Sequence, residues 1–503
     1  MIGYLLEGFV IVFSHPFNMV VIIIGVGVGI IIGAMPGLTA TMGIAIALPL
    51  TFGMPPEVGL TLLISIFIGG IHGGGIPAIL IKTPGTPASA ATIADGFALT
   101  QKGETSLALG CHVFSSSAGS FLSTIILVFA SALIAEFALK FGAAEYFLLA
   151  MLGLTIISAI STESTVKGLI AGVLGLLLST CGLDPMVGYP RFTFNNYNLM
   201  EGFSLVPALI GLFAISQIFY EIENIDIPIV KTKDVKTKLP DFSTIKKIIP
   251  TIIRSTIIGN IIGAIPGPGC VLGAFIPYQN EKRLSKHPEK FGYGAIEGIA
   301  AAEAGNNAAA IGALIPTITL GIPGEAATAV LLGGLMILGL RPGPLLFKNN
   351  PEIVYAVFAS IFIACFVLLI EGLILARYMG RLVTISKKIL LPVILLLCVV
   401  GAFAIRRSVF DIGVALIFGI LGYFLQKLNF GVVPVLLGLI LGPIAESNLR
   451  RALIISRGSL IIFFNNWLDI SLILLGILSL IFGIRLSNSL KKISKESTAQ
   501  TNE

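Results

Sequence analysis

Two short stretches of this chain place hydroxyl side chains beside glycine and proline inside otherwise apolar sequence. One runs from Thr83 through Gly85, Thr86, Pro87 and Ser89 to Thr92; the other runs from Thr319 through Gly321, Pro323, Gly324 and Glu325 to Thr328. Their common spacing is T-x-G-x-P-x-x-A-A-T. Each follows a block reading G-x-I-I-G-A-x-P-G, Gly29 to Gly37 in the first half and Gly259 to Gly267 in the second, about 230 residues on. Proline carries no N–H and disturbs the turn before it, and glycine reaches backbone conformations closed to other residues. Each block therefore ends one half-helix and starts another. A helix start presents unpaired N–H donors and a partial positive charge, which hold a carboxylate or phosphate without a buried cation. The end of the preceding half-helix offers carbonyls to Na⁺. On this reading Gly37, Thr39, Thr83, Gly85 and Thr86 bind substrate from the first half, and Gly267, Gly269, Thr319, Gly321 and Gly324 from the second. A single block of this kind reads equally as a kink or a close helix contact, and its threonines as bonded to a carbonyl one turn back. The duplication favours a site, because paired broken helices point to the binding region of a transporter.

Ionisable residues in apolar stretches are functional suspects. Here they are His72, Lys82, Glu303 and Glu325. Glu303 and Glu325, with Asn307 and Thr319, are the coupling-ion candidates. Asn306 and Asn307 join the substrate set, since an amide donates to a carboxylate or coordinates a cation. Lys82 either attracts an anion or snorkels to the interface, and His72 reads as structural. Five glycines between Gly69 and Gly75 make a poor helix, so irregular backbone lining a cavity is expected there. Aligning the two halves sets Gly69-Gly70 opposite Gly305-Asn306.

The elements holding these residues must be membrane helices. The chain is 55% hydrophobic and 12% charged, with mean hydropathy +0.99. Uncharged runs cover 8–56, 58–81, 105–135, 202–220, 255–280, 304–324 and 428–445, and a crossing takes about 20 residues. A soluble enzyme core is excluded. The expected fold is an all-α polytopic membrane protein of about 10–12 transmembrane helices plus re-entrant or broken helices, in two inverted repeats. The stretch 249–280 is about 48 Å long as a helix, too short for two crossings of about 30 Å each. It reads as a re-entrant hairpin with Pro266-Gly267 near its tip, a broken single span being the rival. The parts are a first membrane repeat at 1–220, a basic cytoplasmic connector at 221–248, a second repeat at 249–484 and a polar cytoplasmic tail at 485–503.

The net charge of +6 reflects loops, because Lys and Arg collect on the cytoplasmic side. The basic clusters Lys231–Lys247, Lys282–Lys290 and Arg377–Lys388 and the tail are placed inside; the first 81 residues, without Lys or Arg, favour an outside N-terminus. Lys282, Arg283, Lys286 and Lys290 follow the second P-G block, whereas Thr51–Leu60 after the first holds only Glu57. That contrast sets the loops on opposite faces and the repeats inverted. Met1 to Phe13 is too short to span. The five cysteines show no C-x-x-C spacing and read as small buried hydrophobes, with neither disulfide nor metal. The sequence lacks a phosphate-cradling G-x-x-x-x-G-K-[ST], an H-E-x-x-H and a G-x-S-x-G. No cofactor and no nucleic-acid partner are expected. A gradient-driven carrier remains, with an anion channel or a membrane-embedded enzyme as alternatives.

At these residues the chain resembles the large membrane subunit of the tripartite tricarboxylate transporters, the TctA family. The resemblance rests on Gly29 to Gly37 and Gly259 to Gly269, on Gly69 to Gly75, on Ile81 to Ser89, on Glu303 to Asn307 and on Gly321 to Glu325, and extends to about Phe482. It implies a non-enzymatic importer in the bacterial cytoplasmic (inner) membrane, taking a tricarboxylate or other carboxylate with Na⁺ or H⁺. The partners it implies are a small membrane subunit and a periplasmic solute-binding protein.

Overall fold

The computed structural model describes residues 2–14, 16–35, 37–160, 164–223, 237–267, 269–382, 386–481 and 484. Pro36, most of the basic connector and the tail 485–503 lie outside the described residues. The helices in order are α1 (Ile2–Ser14), α2 (Pro16–Ala34), α3 (Ala40–Ala47), α4 (Pro56–Gly73), α5 (Gly75–Ile81), α6 (Ala90–Gln101), α7 (Thr105–Ala138), α8 (Ala143–Ile160), α9 (Thr165–Ser179), α10 (Leu205–Leu209) and α11 (Ser216–Glu223). After the connector come α12 (Phe242–Ala264), α13 (Gly269–Leu284), α14 (Ile296–Leu320), α15 (Ala326–Ile337), α16 (Pro344–Asn349), α17 (Pro351–Leu382), α18 (Lys387–Arg406), α19 (Val409–Lys427) and α20 (Val432–Ile455). Among the described residues, eight helical stretches are long and apolar enough to cross a membrane, and six shorter apolar helices accompany them. The chain is an all-α polytopic membrane protein. By length and composition eight of the described helical stretches are candidate crossings, beside the about 10–12 transmembrane helices expected. Part of the difference lies in α12 and α14, whose Lys, Arg, Glu and Asn lower their apolarity although α14 is buried along nearly all its length.

The chain folds as two compact units, Met1–Glu136 with Gln217–Ile405 and Phe137–Ser216 with Arg406–Glu503. Each unit draws on both of the sequential halves 1–220 and 249–484.

In the first unit the glycine spacing sets the helix packing. A Cβ on Gly29 or Gly33 of α2 would collide with the carbonyl oxygens of Ile66 or Gly70 of α4, and one on Gly73 with Ile30 O. The second half repeats the arrangement: Gly259 and Gly263 of α12 press on Gly305 O and Ala309 O of α14, and Gly312 on Asn260 O. Small residues let two backbones approach where lipid supplies no hydrophobic drive. The stretch Gly69–Gly75 is therefore helical, contrary to the expectation of irregular backbone, with only Gly74 between α4 and α5. Each glycine there meets a different neighbour: Gly69 meets Val26 O, Gly70 meets Ala40, Gly73 meets Ile30 O, Gly74 meets Thr86 and Ser89, and Gly75 meets His112 and Glu303. Those contacts offset a helix-propensity loss of roughly 1 kcal/mol per glycine.

Helices α12 and α13 pack on each other and on α14, so 249–280 is a hairpin and not a broken single span. The halves also exchange elements. α15, from the second half, packs on α3 and α4, while the Pro87–Ser89 turn and α6, from the first, pack on α13 and α14. Helix α1 lies on α17, with Tyr4 stacked on Tyr355 at 5.7 Å between ring centroids.

The second unit joins α8, α9, α19 and α20 by the same device, with Gly175 against Val435 O and Gly438 against Gly172 O. A two-residue hairpin pairs β1 (Gly182–Leu183) with β2 (Pro190–Arg191). Arg191 forks onto Glu446 at 2.7 and 3.1 Å. The backbone N–H of Met186, then that of Val187 and the Arg450 guanidinium, hold the Asp184 carboxyl below its usual range.

Two contrasting glycine variants test this packing. Gly33→Ala and Gly263→Ala force helix backbones apart and are expected to cost about 1–3 kcal/mol. Gly413→Ala, on α19 with open space around it, is expected to stabilise by about 0.5–1 kcal/mol. Thermal unfolding in detergent reads both; equal melting temperatures for Gly33→Ala, Gly263→Ala and the parent contradict the account.

Candidate functional site

The site is built where broken helices cross. In the first half α2 ends at Ala34 and Gly37 turns with φ +92°. The Gln217 amide donates to Gly37 O at 3.1 Å, and the Glu221 carboxylate fills the space a Cβ on Gly37 would need. Glu221 is held in turn by Gln217 at 2.9 Å and Lys387 at 2.5 Å. Thr39 caps α3, its hydroxyl oxygen accepting from Met42 N–H at 3.2 Å. Helix α5 ends on Lys82, exposed and left-handed at φ +58°. The loop after it carries Thr83, exposed and donating to Ile81 O. It then carries Gly85, whose N–H donates to Gly74 O at 3.0 Å. The hydroxyls of Thr86 and Ser89 lie 2.7 Å apart.

The second half repeats the crossing. α12 ends at Ala264, Gly267 turns with φ +117°, and its N–H donates to Gly324 O at 2.9 Å. Gly269, at φ +50°, opens α13. Helix α14 ends on Gly321 at φ +71°. Glu325 starts α15, its N–H donating to the Thr328 hydroxyl at 3.0 Å, and its carboxylate reaches across to accept the Cys270 N–H at 3.1 Å. The start of α13 is thus already occupied by a carboxylate of the chain's own.

These contacts shift the pairing of the halves. Lys82 and Gly321 are the two left-handed helix ends. Gly85 and Gly324 are the glycines pressed on Gly33 O and Gly263 O. Thr86 with Ser89 and Glu325 with Thr328 are the paired helix starts. The T-x-G-x-P spacing, which aligns Gly85 with Gly321, is offset from this pairing by three residues. The positive φ expected of Gly85 is not found; the backbone turns at Lys82, and Gly85 is needed for its close approach. Likewise Gly305 O and Ala309 O, pressed by Gly259 and Gly263, correspond to Ile66 O and Gly70 O, pressed by Gly29 and Gly33, so Gly305-Asn306 matches Ile66-Phe67 and not Gly69-Gly70. Thr319, buried within α14, donates to Ile315 O at 2.7 Å, the bond of a helical threonine to the previous turn.

Beneath the loops lies a buried polar centre. Glu303 of α14 accepts from Thr92 at 2.5 Å and from Ser116 at 3.2 Å. His112 Nδ1 of α7 is 3.1 Å from Oε2, the oxygen that also accepts Ser116, at ion-pair distance but off hydrogen-bond alignment. His72 stacks on His112 with centroids 4.2 Å apart and 12° between planes. Glu303, His72 and His112 are all fully buried. Asn307 donates to Glu303 O at 3.0 Å, and both polar atoms of the Asn306 side chain are buried without a partner. Nearby, Asp95 of α6 accepts the N–H groups of Gly292, Gly294 and Ala295 at 2.8–2.9 Å and the Tyr278 hydroxyl at 2.9 Å, tying α6 to the start of α14. Sequence reasoning named Glu303 and His72 but missed His112 and Asp95. A histidine inside the uncharged run 105–135 was the available signal for His112; Asp95 sits in a mixed helix and gave none.

The two glycines fail for different reasons, and substitutions separate them. Asn tolerates the left-handed region, so Gly321→Asn is expected to keep the fold while Gly321→Val loses about 1–2 kcal/mol. At Gly85 any Cβ meets Gly33 O, so Ala and Asn are both expected to disrupt it. Yield of the monodisperse detergent-solubilised protein checks this; tolerance of Gly85→Asn contradicts it.

Known proteins place this architecture. The profile of the "Tripartite tricarboxylate transporter TctA family" matches residues 19–437. An uncharacterized 52.8 kDa protein of Agrobacterium vitis, from the TAR-I ttuC' 3' region, is 38% identical over 469 residues, 93% of each chain. An uncharacterized protein from the TAR-II ttuC' 3' region of the same organism is 39% identical over 226 residues, 45% of this chain and 93% of its own. No solved structure matches. With its duplicated broken-helix crossings and this full-length similarity, the chain belongs to the TctA family of tripartite tricarboxylate transporters.

Proposed function

We propose that this chain is the large transmembrane subunit of a secondary transporter that imports a tricarboxylate or other carboxylate into a bacterium across the inner membrane. Membership of a tripartite family gives it a small membrane subunit and a periplasmic binding protein as partners. The binding protein delivers the acid, and a Na⁺ or H⁺ gradient drives uptake. The observation that carries the reading is the exchanged pair of crossings. The Pro87–Ser89 turn and α6 of the first half pack on α13 and α14, and α15 of the second half packs on α3 and α4, which supports one region served by both halves. Two helix starts in this unit already hold a carboxylate on backbone N–H groups, Asp95 before α14 and Glu325 at α13. This is the chemistry a carboxylate substrate needs. Substrate is placed at Gly267, Gly269 and Gly324, where it displaces Glu325, and at the matching Gly37, Thr39, Gly85 and Thr86; Asn306 supplies an amide without a partner. Inverted halves give such a site access from either membrane face in turn.

Two outcomes are expected. Uptake of labelled carboxylates into vesicles needs the binding protein, collapses without an ion gradient and persists without ATP; ATP-dependent uptake in gradient-free vesicles contradicts the reading. Cysteines introduced at Pro56 and Ser285 label from opposite sides of the membrane; labelling from one side removes the inverted repeat.

A further inference from the structure

We infer that the His72–His112–Glu303 centre is the proton-binding site of the transport cycle, holding one proton on the His112 imidazole, paired in charge with the Glu303 carboxylate. This rests on the carrier reading above and names its coupling ion. A buried carboxylate needs a compensating charge or a proton. Among the described residues Glu303 has no Lys or Arg in ion-pair contact, and the basic side chain at that distance is His112, charged only when protonated. With both imidazoles neutral the centre carries one negative charge; with one proton on His112 it is neutral. The parallel stack at 4.2 Å holds two imidazoles too close for both to be charged, which limits the load to one.

The surroundings leave this choice to the centre itself. Helix α4 contributes His72, whose two nitrogens are both without partner. Helix α6 contributes Thr92; its Asp95 is turned to the N–H groups before α14. Helix α7 contributes His112 and Ser116. Helix α14 contributes Glu303, with Asn306 and Asn307 a turn further on. Helix α17 passes at Gly372, where a Cβ would stand 3.0 Å from His72 Nε2, while its Glu371 lies near Gly27 of α2. On α5, Gly75 gives His112 and Glu303 their room.

The chemistry also selects the ion. A hard cation takes several oxygen ligands. Here two of the side chains around Glu303 are imidazoles, nitrogen bases suited to taking up a proton and poorly suited to a hard cation.

The test uses proteoliposomes holding this chain with its small subunit, loaded binding protein outside and the membrane potential clamped at zero. Counterflow first selects the transported acid from a panel of labelled carboxylates that includes citrate. A gradient of about one pH unit is expected to raise accumulation of that acid about tenfold for one proton per substrate, and an equal Na⁺ gradient to raise it not at all. His112→Asn and Glu303→Gln are expected to abolish accumulation yet keep counterflow, and Glu303→Asp to retain pH-driven accumulation. Na⁺-driven accumulation, or undiminished pH-driven accumulation in His112→Asn, overturns the inference. Absence of counterflow with every acid removes the carrier reading instead, and the proton site is then decided without transport. In ¹⁵N-histidine-labelled protein in detergent, the His112 ring is expected to titrate in the parent and to titrate differently in Glu303→Gln, with exposed His287 unchanged. Identical His112 titrations in the two proteins overturn the paired site.

Discussion

Backbone-to-backbone contact between helices is the constraint on which the first unit depends. Gly33 against Gly70 and Gly263 against Ala309 leave no volume for a side chain. Each helix of the pair then stops within one turn of that contact, at Ala34 and Ala264. A helix end exposes carbonyls, and at membrane depth these must be satisfied within the protein. The close approach also brings the loop after α5 or α14 onto the break, with Gly85 against Gly33 O and Gly324 against Gly263 O. Gly85 N–H meets Gly74 O, and Gly267 N–H meets Gly324 O. The glycine signature and the proline-containing loops are therefore one device.

The unit manages its buried carboxylates in the same local way. Glu221 stands against Gly37 with Gln217 and Lys387 around it, Glu325 stands against Gly269 and the N–H of Cys270, and Asp95 gathers three N–H groups before α14. The two tips differ in the source of their acid. In the first it comes from α11 and is paired with a lysine; in the second it comes from the crossing loop and accepts the Cys270 N–H.

Composition and uncharged run lengths were enough to identify membrane helices, because the bilayer core has a thickness that a helix must match. The duplicated P-G and T-x-G-x-P blocks located every helix break that matters, since proline and glycine act on their own backbone. The same local logic failed at Gly69–Gly75. There glycine content suggested loose backbone, and packing against α2 made it helix. It failed again in the register of the halves: threonines that align in sequence fall in an exposed loop at Thr83 and inside a helix at Thr319.

What the sequence by itself determined is therefore the all-α membrane class, the breaks near Gly37, Gly85, Gly267 and Gly324, and the suspicion attached to Glu303. These follow from hydropathy, backbone stereochemistry and the cost of burying a charge, each of which acts over a few residues. Only the tertiary structure decided that His112, 191 residues before Glu303, is its partner, that His72 stacks behind it, and that each half is completed by elements from the other. Side chains from α4, α6, α7 and α14 meet there because glycine contacts fix how the helices cross, and a crossing is a relation between distant segments that local spacing does not record.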